Sequence, residues 1–215
     1  AHPDDELLGV GGTILRHVGR GDRVSVLILA DGERSRDGAG PEDVEKRRRQ
    51  VEEVGRRLRV DQLRVEDLPD NALDSVPLLS IVKKVEAFIS GVSPTVVYTH
   101  HYGDLNVDHR LACQAVITAC RPQPGACARS IFAFETVSST EWERKTPERA
   151  FQPVFYVDIS DTIDEKLSIL QRYQDELRPW PHPRSLEGVR TLAQYRGMTI
   201  GRPYAEAFEV IRMVV

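Results

Sequence analysis

The chain has 215 residues, of which 40% are hydrophobic and 29% charged, and its formal net charge is −4. That length and balance fit one globular domain over residues 1–215, and the acidic charge argues against nucleic acid as a partner. No apolar run approaches the ~18 residues of a membrane span. The cysteines Cys113, Cys120 and Cys127 are odd in number and form no CxxC pair, so they read as free thiols of a reducing, cytoplasmic compartment. Cys113 and Cys120, seven apart on one expected helix, read as packing residues.

The chain opens on "AHPDDELLGVGG", where a helix starts near Glu6. An α/β sheet ordinarily begins with a strand, so a strand is expected ahead of Ala1. "RVSVLILADGE" reads as a buried strand of the parallel-sheet kind, stopping at Asp31-Gly32. "PEDVEKRRRQVEEVGRRL" reads as a helix with Pro41 near its start. A short strand in "DQLRVEDLPDN" and an amphipathic helix in "VPLLSIVKKVEAFISGV" follow, the helix stopped by Gly91 and Pro94. "PTVVYTHH" is the next buried strand, and "DHRLACQAVITACRP" a helix closed by Pro122. "SIFAFETVSS" and "VFYVDIS" read as strands, and "DTIDEKLSILQRYQDEL" as a helix capped by Ser160 or Asp161. Pro-rich loops cover 121–128 and 178–185. Strands alternating with helices predict a mainly parallel α/β sheet flanked by helices.

In such sheets functional groups collect at the carboxyl ends of strands. Three ends are rich in them: "AHPDDE", "ADGERSR" and "THHYGDLNVDHR". His2 and Asp5 are three apart, close enough to converge on one ion with His109. Two imidazoles and a carboxylate leave an open coordination position, the catalytic pattern for zinc; iron(II) tolerates the same set. Asp4 is then free to take a proton from the water that the ion activates. Acids at a helix start are also favoured by the helix dipole alone, but two separate His/Asp-rich strand ends favour a metal.

Other motifs fail. "GVGG" at Gly9–Gly12 lacks G-x-G-x-x-G spacing, so no dinucleotide cofactor is expected and the glycines read as close helix packing. Asp31, Glu33, Ser35, Asp37 and Glu42 mimic calcium-loop positions, but Arg36 stands where that loop needs Gly. No G-x-S-x-G elbow supports a serine hydrolase. Lys46–Arg49 reads as a solvated helix face, although one arginine there, or Arg34 or Arg36, is within range of a substrate. Trp142 reads equally as a sugar-stacking or a core residue.

"AHPDDE" with the later "DH" resembles the LmbE-like, or PIG-L-type, zinc-dependent N-deacetylases. The likeness extends to "LILADGE", "GDLNVDHR", "FETVSSTEW" and "PHPRS". It implies a Rossmann-like α/β fold without a dinucleotide, one Zn2+ ion, and removal of an acetyl group from an N-acetylglucosamine-type amino sugar. By position it implies His2, Asp5 and His109 as metal ligands, Asp4 as general base and Asp108 as a supporting acid. Many members carry H-x-x-H where this chain has Asn106 in "NVDH". Asparagine can donate a hydrogen bond but delivers no proton. His100, His101 or His182, with His101 the nearest strand-end candidate, or Asp4 itself, is left to assist the leaving amine. A strand alternates its faces, so His100 and His101 do not both face the ion. Two alternatives stay open: a metal-dependent amidohydrolase on a non-sugar amide, and a non-catalytic metal- or sugar-binding relative. The oligomeric state is open too, a homo-oligomer included.

Overall fold

The structure is a computed structural model and describes every residue except Arg36, Asp37, Ala39 and Cys127. The suggestions made for Arg36, Asp37 and Cys127 therefore lie outside the described residues. The elements in chain order are α1 (Asp5–Gly19), β1 (Ser25–Ala30), α2 (Pro41–Leu58), β2 (Gln62–Leu68), α3 (Leu78–Val92), β3 (Val96–His100), α4 (Val107–Ala119), β4 (Ser130–Phe134), β5 (Phe155–Asp158), α5 (Ile163–Leu170), α6 (Leu186–Met198) and β6 (Ala205–Met213). The order of helices and strands expected from the sequence holds through α5.

β1 pairs with β2 in parallel, and β3 with β4 in parallel. β6 adds antiparallel to both β4 and β5, giving the order β3-β4-β6-β5. A core of α1, α2, α5, α6, β1, β4 and β6 side chains, centred on Leu7, Val54, Leu58, Ile159 and Phe208, joins the elements. β1 and β3 also line a cleft of about 810 Å3, which His2, Asp5 and His100 border. Among the described residues no helix is long and apolar enough to cross a membrane. Cys113 and Cys120 are buried.

The glycines of α1 are packing residues. A Cβ on Gly9 would stand 2.2 Å from Phe134 Cδ2, and one on Gly12 would stand 2.7 Å from Ile159 Cγ2. Gly9→Ala is expected to lower stability by about 1–3 kcal/mol, because overpacking outweighs the better helix propensity of alanine. A denaturant midpoint equal to wild type would refute that.

α6 and β6 are not anticipated by the sequence pattern. β6 buries a carboxylate: Glu206 accepts from Gly12 N at 2.8 Å and Thr13 N at 2.7 Å. Lys166 of α5 pairs with it at 2.7 Å and also donates to Leu8 O. α5 is shorter than its sequence suggests, ending at Leu170 and tightening into a 3-10 turn over Gln171–Tyr173. Its cap is Thr162, because Ser160 turns back onto Asp158 at 2.6 Å.

Candidate metal centre

Ala1 O accepts from Leu29 N and Ala30 N, which holds the AHPDD turn at the carboxyl end of β1. Gly32, at φ +74°, lies so close that a Cβ there would meet Pro3 Cδ at 2.9 Å. Asp4 sits at φ 115°, a left-handed conformation that commonly costs a non-glycine residue about 1–3 kcal/mol. Glu6 holds this turn: its Oε2 accepts from Asp4 N at 3.1 Å, and its Oε1 accepts from Tyr173 Oη at 2.9 Å. Such strain held in place by buried partners points to a functional position.

Burial pushes Glu6 up to about 7. Its folded-state pKa is raised, so its contribution is full below the unfolded value near 4.5 and is lost as pH rises toward 7. In metal-free protein Glu6 therefore contributes a loss of about 3 kcal/mol over that window, superposed on the opposite slope of His100, whose pKa burial pushes down to about 3. Glu6→Gln should flatten this slope in chelator-treated unfolding curves; an unchanged slope would assign it elsewhere.

Three donors face one another beyond the turn. Asp5 Oδ2 lies 3.5 Å from His2 Nδ1 and 3.4 Å from His109 Nε2. The three ligand atoms all lie within 4.8 Å of one another. Bonds of ~2.1 Å in a tetrahedral site give donor–donor edges of roughly 3.4 Å, so these residues fit a small divalent ion. The pocket also favours positive charge. Burial works against a charged His2, but Asp108 and Asp5 outweigh it and carry its pKa up to about 9. Burial likewise opposes the charge on Asp5, yet His109, Ala1 N and His100 beside it hold its carboxyl well below the usual range.

The far nitrogen of each histidine meets a buried carboxylate. His2 Nε2 lies 2.8 Å from Asp108 Oδ2, whose other oxygen accepts from Leu73 N at 2.9 Å. Asp70 stands 3.4 Å from the same nitrogen. His109 Nδ1 lies 3.1 Å from Asp104 Oδ1, at an angle short of hydrogen-bond geometry. Asp104 is fully buried and accepts from Ser139 Oγ, Thr140 Oγ1 and Asn106 N. Burial raises its pKa, but His109 and the two hydroxyls outweigh that and hold it at about 2. A carboxylate behind each ligand histidine is the arrangement that fixes tautomer and ring orientation at metal sites.

Asp4 is adjacent to this cluster without joining it. Its Oδ2 lies 3.3 Å from Arg184 Nη1, and Arg184 Nε donates to Ser138 Oγ at 3.0 Å. Burial pushes Asp4 well above the usual carboxylate range, and Arg184 draws it back only in part.

The remaining candidates divide. Asn106 caps α4, accepting from Asp108 N at 2.8 Å and donating to Asn71 Oδ1 at 3.0 Å. His101 is not brought to the cluster. It is buried with Nδ1 on Glu209 at 2.7 Å and Nε2 on Arg149 O at 2.9 Å. Strand alternation turns His100 inward instead, stacked on His109 at 4.0 Å. Burial, then His109, pushes His100 down to about 3. Trp142 is 52% exposed and meets the His182 ring edge-on at 5.6 Å, so it is not a core residue. Of the basic run, Arg47 is buried between Glu33 and Glu176, whereas Arg48 and Arg49 face solvent. Asp104, Glu6, Tyr173 and Arg184 are the positions that the sequence did not single out. Asp104 carried one local sign, an acid five residues ahead of a candidate ligand and just past a strand end.

The family model described as PIG-L, GlcNAc-PI de-N-acetylase, matches residues 1–120, the stretch holding His2, Asp4, Asp5, Asp104, Asp108 and His109. Three solved structures are similar along their length. N,N'-diacetylchitobiose deacetylase from Pyrococcus horikoshii superposes with a TM-score of 0.78 at 21% identity, covering 98% of this chain and 81% of that one. The conserved protein TT1542 from Thermus thermophilus gives 0.78 at 27% identity, covering 100% and 93%. GalB, the 4-carboxy-2-hydroxymuconate hydratase from Pseudomonas putida, gives 0.76 at 20% identity, covering 100% and 95%.

Proposed function

This chain belongs to the PIG-L family, and on that premise we propose that it is a zinc-dependent N-deacetylase, hydrolysing the acetamide of an N-acetylglucosamine-type amino sugar. The observation that carries the reading is the division of labour in one turn: Asp5 joins His2 and His109, while Asp4, next in sequence, turns toward Arg184 instead. A group that binds the ion cannot also serve as a free base; two adjacent acids with different partners can do both jobs.

His2, Asp5 and His109 would hold the ion, oriented by Asp108 and Asp104. When bound, a divalent ion supplies Lewis acidity, polarising the amide carbonyl and making water a competent nucleophile near neutral pH. The chain's own residues do the rest. Asp4 takes the proton as water adds to the amide carbon and returns it to the nitrogen as the amine departs. Arg184 holds the carboxylate in place. Trp142, exposed beside this turn's partner loop, offers an apolar face of the kind on which sugar rings stack.

The likeness to GalB carries the fold alone, so the reaction is decided by assay. Purified protein with added Zn2+ is expected to release free acetate from N-acetylated amino sugars or nucleotide sugars, and far less from N-acetyl amino acids. Acetate from the amino acids alone would move the protein to non-sugar amides, and none from any substrate would overturn the reading.

A further inference from the structure

Hydrolysis of an amide needs a donor for the oxygen that becomes negative, and the histidines can be sorted by what each ring nitrogen already does. His2 and His109 belong to the ligand set. His17 is committed to Asp22 and Tyr98. His101 has both nitrogens engaged, on Glu209 and Arg149 O. His100 is buried against Asp5 and Thr136. Asn106 is committed to the α4 cap and to Asn71.

His182 is different. Its Nδ1 accepts from the backbone N–H of Arg184 at 3.0 Å, and no hydrogen bond is made at Nε2 among the described residues. An Nδ1 that accepts carries no proton, so the neutral ring bears its proton on Nε2. The contact thus leaves Nε2–H as the ring's free donor. The loop is fixed beside the base: Arg184 reaches Asp4 at 3.3 Å, Ser185 N donates to His182 O at 2.9 Å, and Trp142 packs on the ring at 5.6 Å. Arg184 itself is spent on Asp4 and Ser138. His182 and Arg184 both lie beyond the residues matched by the family model.

We propose that His182, through its Nε2–H, is the hydrogen-bond donor to the oxyanion of the tetrahedral intermediate. This rests on the deacetylase reading. In the step, water oxygen bonds to the amide carbon and its proton passes to Asp4. The carbonyl electron pair moves onto oxygen, which His182 meets. On collapse that pair re-forms the carbonyl, the C–N bond breaks, and the nitrogen takes the proton back from Asp4. His182 begins and ends neutral.

The test compares wild type, His182→Ala and His182→Gln with the same N-acetylated amino sugar and Zn2+. Loss of one oxyanion donor typically lowers kcat by about 10²–10³-fold, which is the change expected for His182→Ala. Gln retains an N–H donor but has no titratable proton, so His182→Gln is expected to recover at least tenfold of that loss. By calorimetry, a methyl phosphonamidate in place of the acetamide, tetrahedral like the intermediate, should bind His182→Ala far more weakly, while product amino sugar and Zn2+ bind all three proteins alike. Equal losses in Ala and Gln would make His182 a proton carrier or a structural residue, and full activity in Ala would remove it from the reaction; both overturn the proposal. If wild type releases no acetate, the deacetylase reading has failed and this one with it, whereas an active wild type with indifferent variants sinks this one alone.

Discussion

Asp4→Asn is expected to lower kcat by about 10²–10⁴-fold, the usual worth of a positioned general base, while the protein still takes up one divalent ion. The two readouts separate because the structure separates the two acids. Asp5 carries the close approaches to His2 and His109, and Asp4 carries the one to Arg184. Asn is nearly isosteric and can sit where Asp4 sits, although it faces Arg184 without a charge. The variant also removes a buried acid held well above its usual pKa, so folding stability should fall little or rise. Acetate release under saturating substrate and metal content after gel filtration are the two measurements. A variant that loses its ion would make Asp4 a ligand; one that keeps near-normal turnover would leave the base unassigned.

How much of this was legible in the sequence follows from the range of the forces involved. The apolar runs of β1 and β3 and the charged, amphipathic run of α2 are local patterns, and they placed those elements. The AHPDD turn was legible because His2 and Asp5 stand three apart and a second His/Asp-rich strand end supplies His109. Long-range compensation was not legible. β6 buries Glu206 among apolar neighbours only because Lys166, 40 residues away, and two amides of α1 meet it, so "AEAFEVIRM" did not read as a core strand. α5 stops early in a turn that brings Tyr173 Oη onto Glu6, 167 residues distant. Alternation along β3 said that only one of His100 and His101 could face the ligands, but the choice of face depends on pairing with β4 and packing on α4. Asp104 was hidden for the same reason, since its hydroxyl partners come from the Thr140–Trp142 turn and the residue before it.

Asp104 is where the larger effect on ion binding is expected outside the ligands themselves. His109→Ala removes one of three donors, and uptake of Zn2+ should vanish at concentrations that saturate wild type. Asp104→Asn leaves all three donors in place, yet affinity is expected to fall about 10–100-fold, the usual consequence of losing a carboxylate behind a ligand histidine. The reason is electrostatic as much as geometric. Asp104 lies 3.1 Å from Nδ1, it is held ionised, and its negative charge makes the imidazole a better donor to a cation. Asn in its place keeps one acceptor oxygen, for Ser139 Oγ and Asn106 N, which share Oδ1, while the Thr140 hydroxyl has to turn and accept from the new NH2; the charge is lost, so folding should survive while the ion weakens. The two substitutions act through one ring, and their effects should not add: on the His109→Ala background, Asp104→Asn should change residual binding little. Competition against a chromophoric chelator measures all four proteins. An Asp104→Asn variant with wild-type affinity, or one whose effect persists undiminished without His109, would show that this carboxylate supports the fold and not the ion.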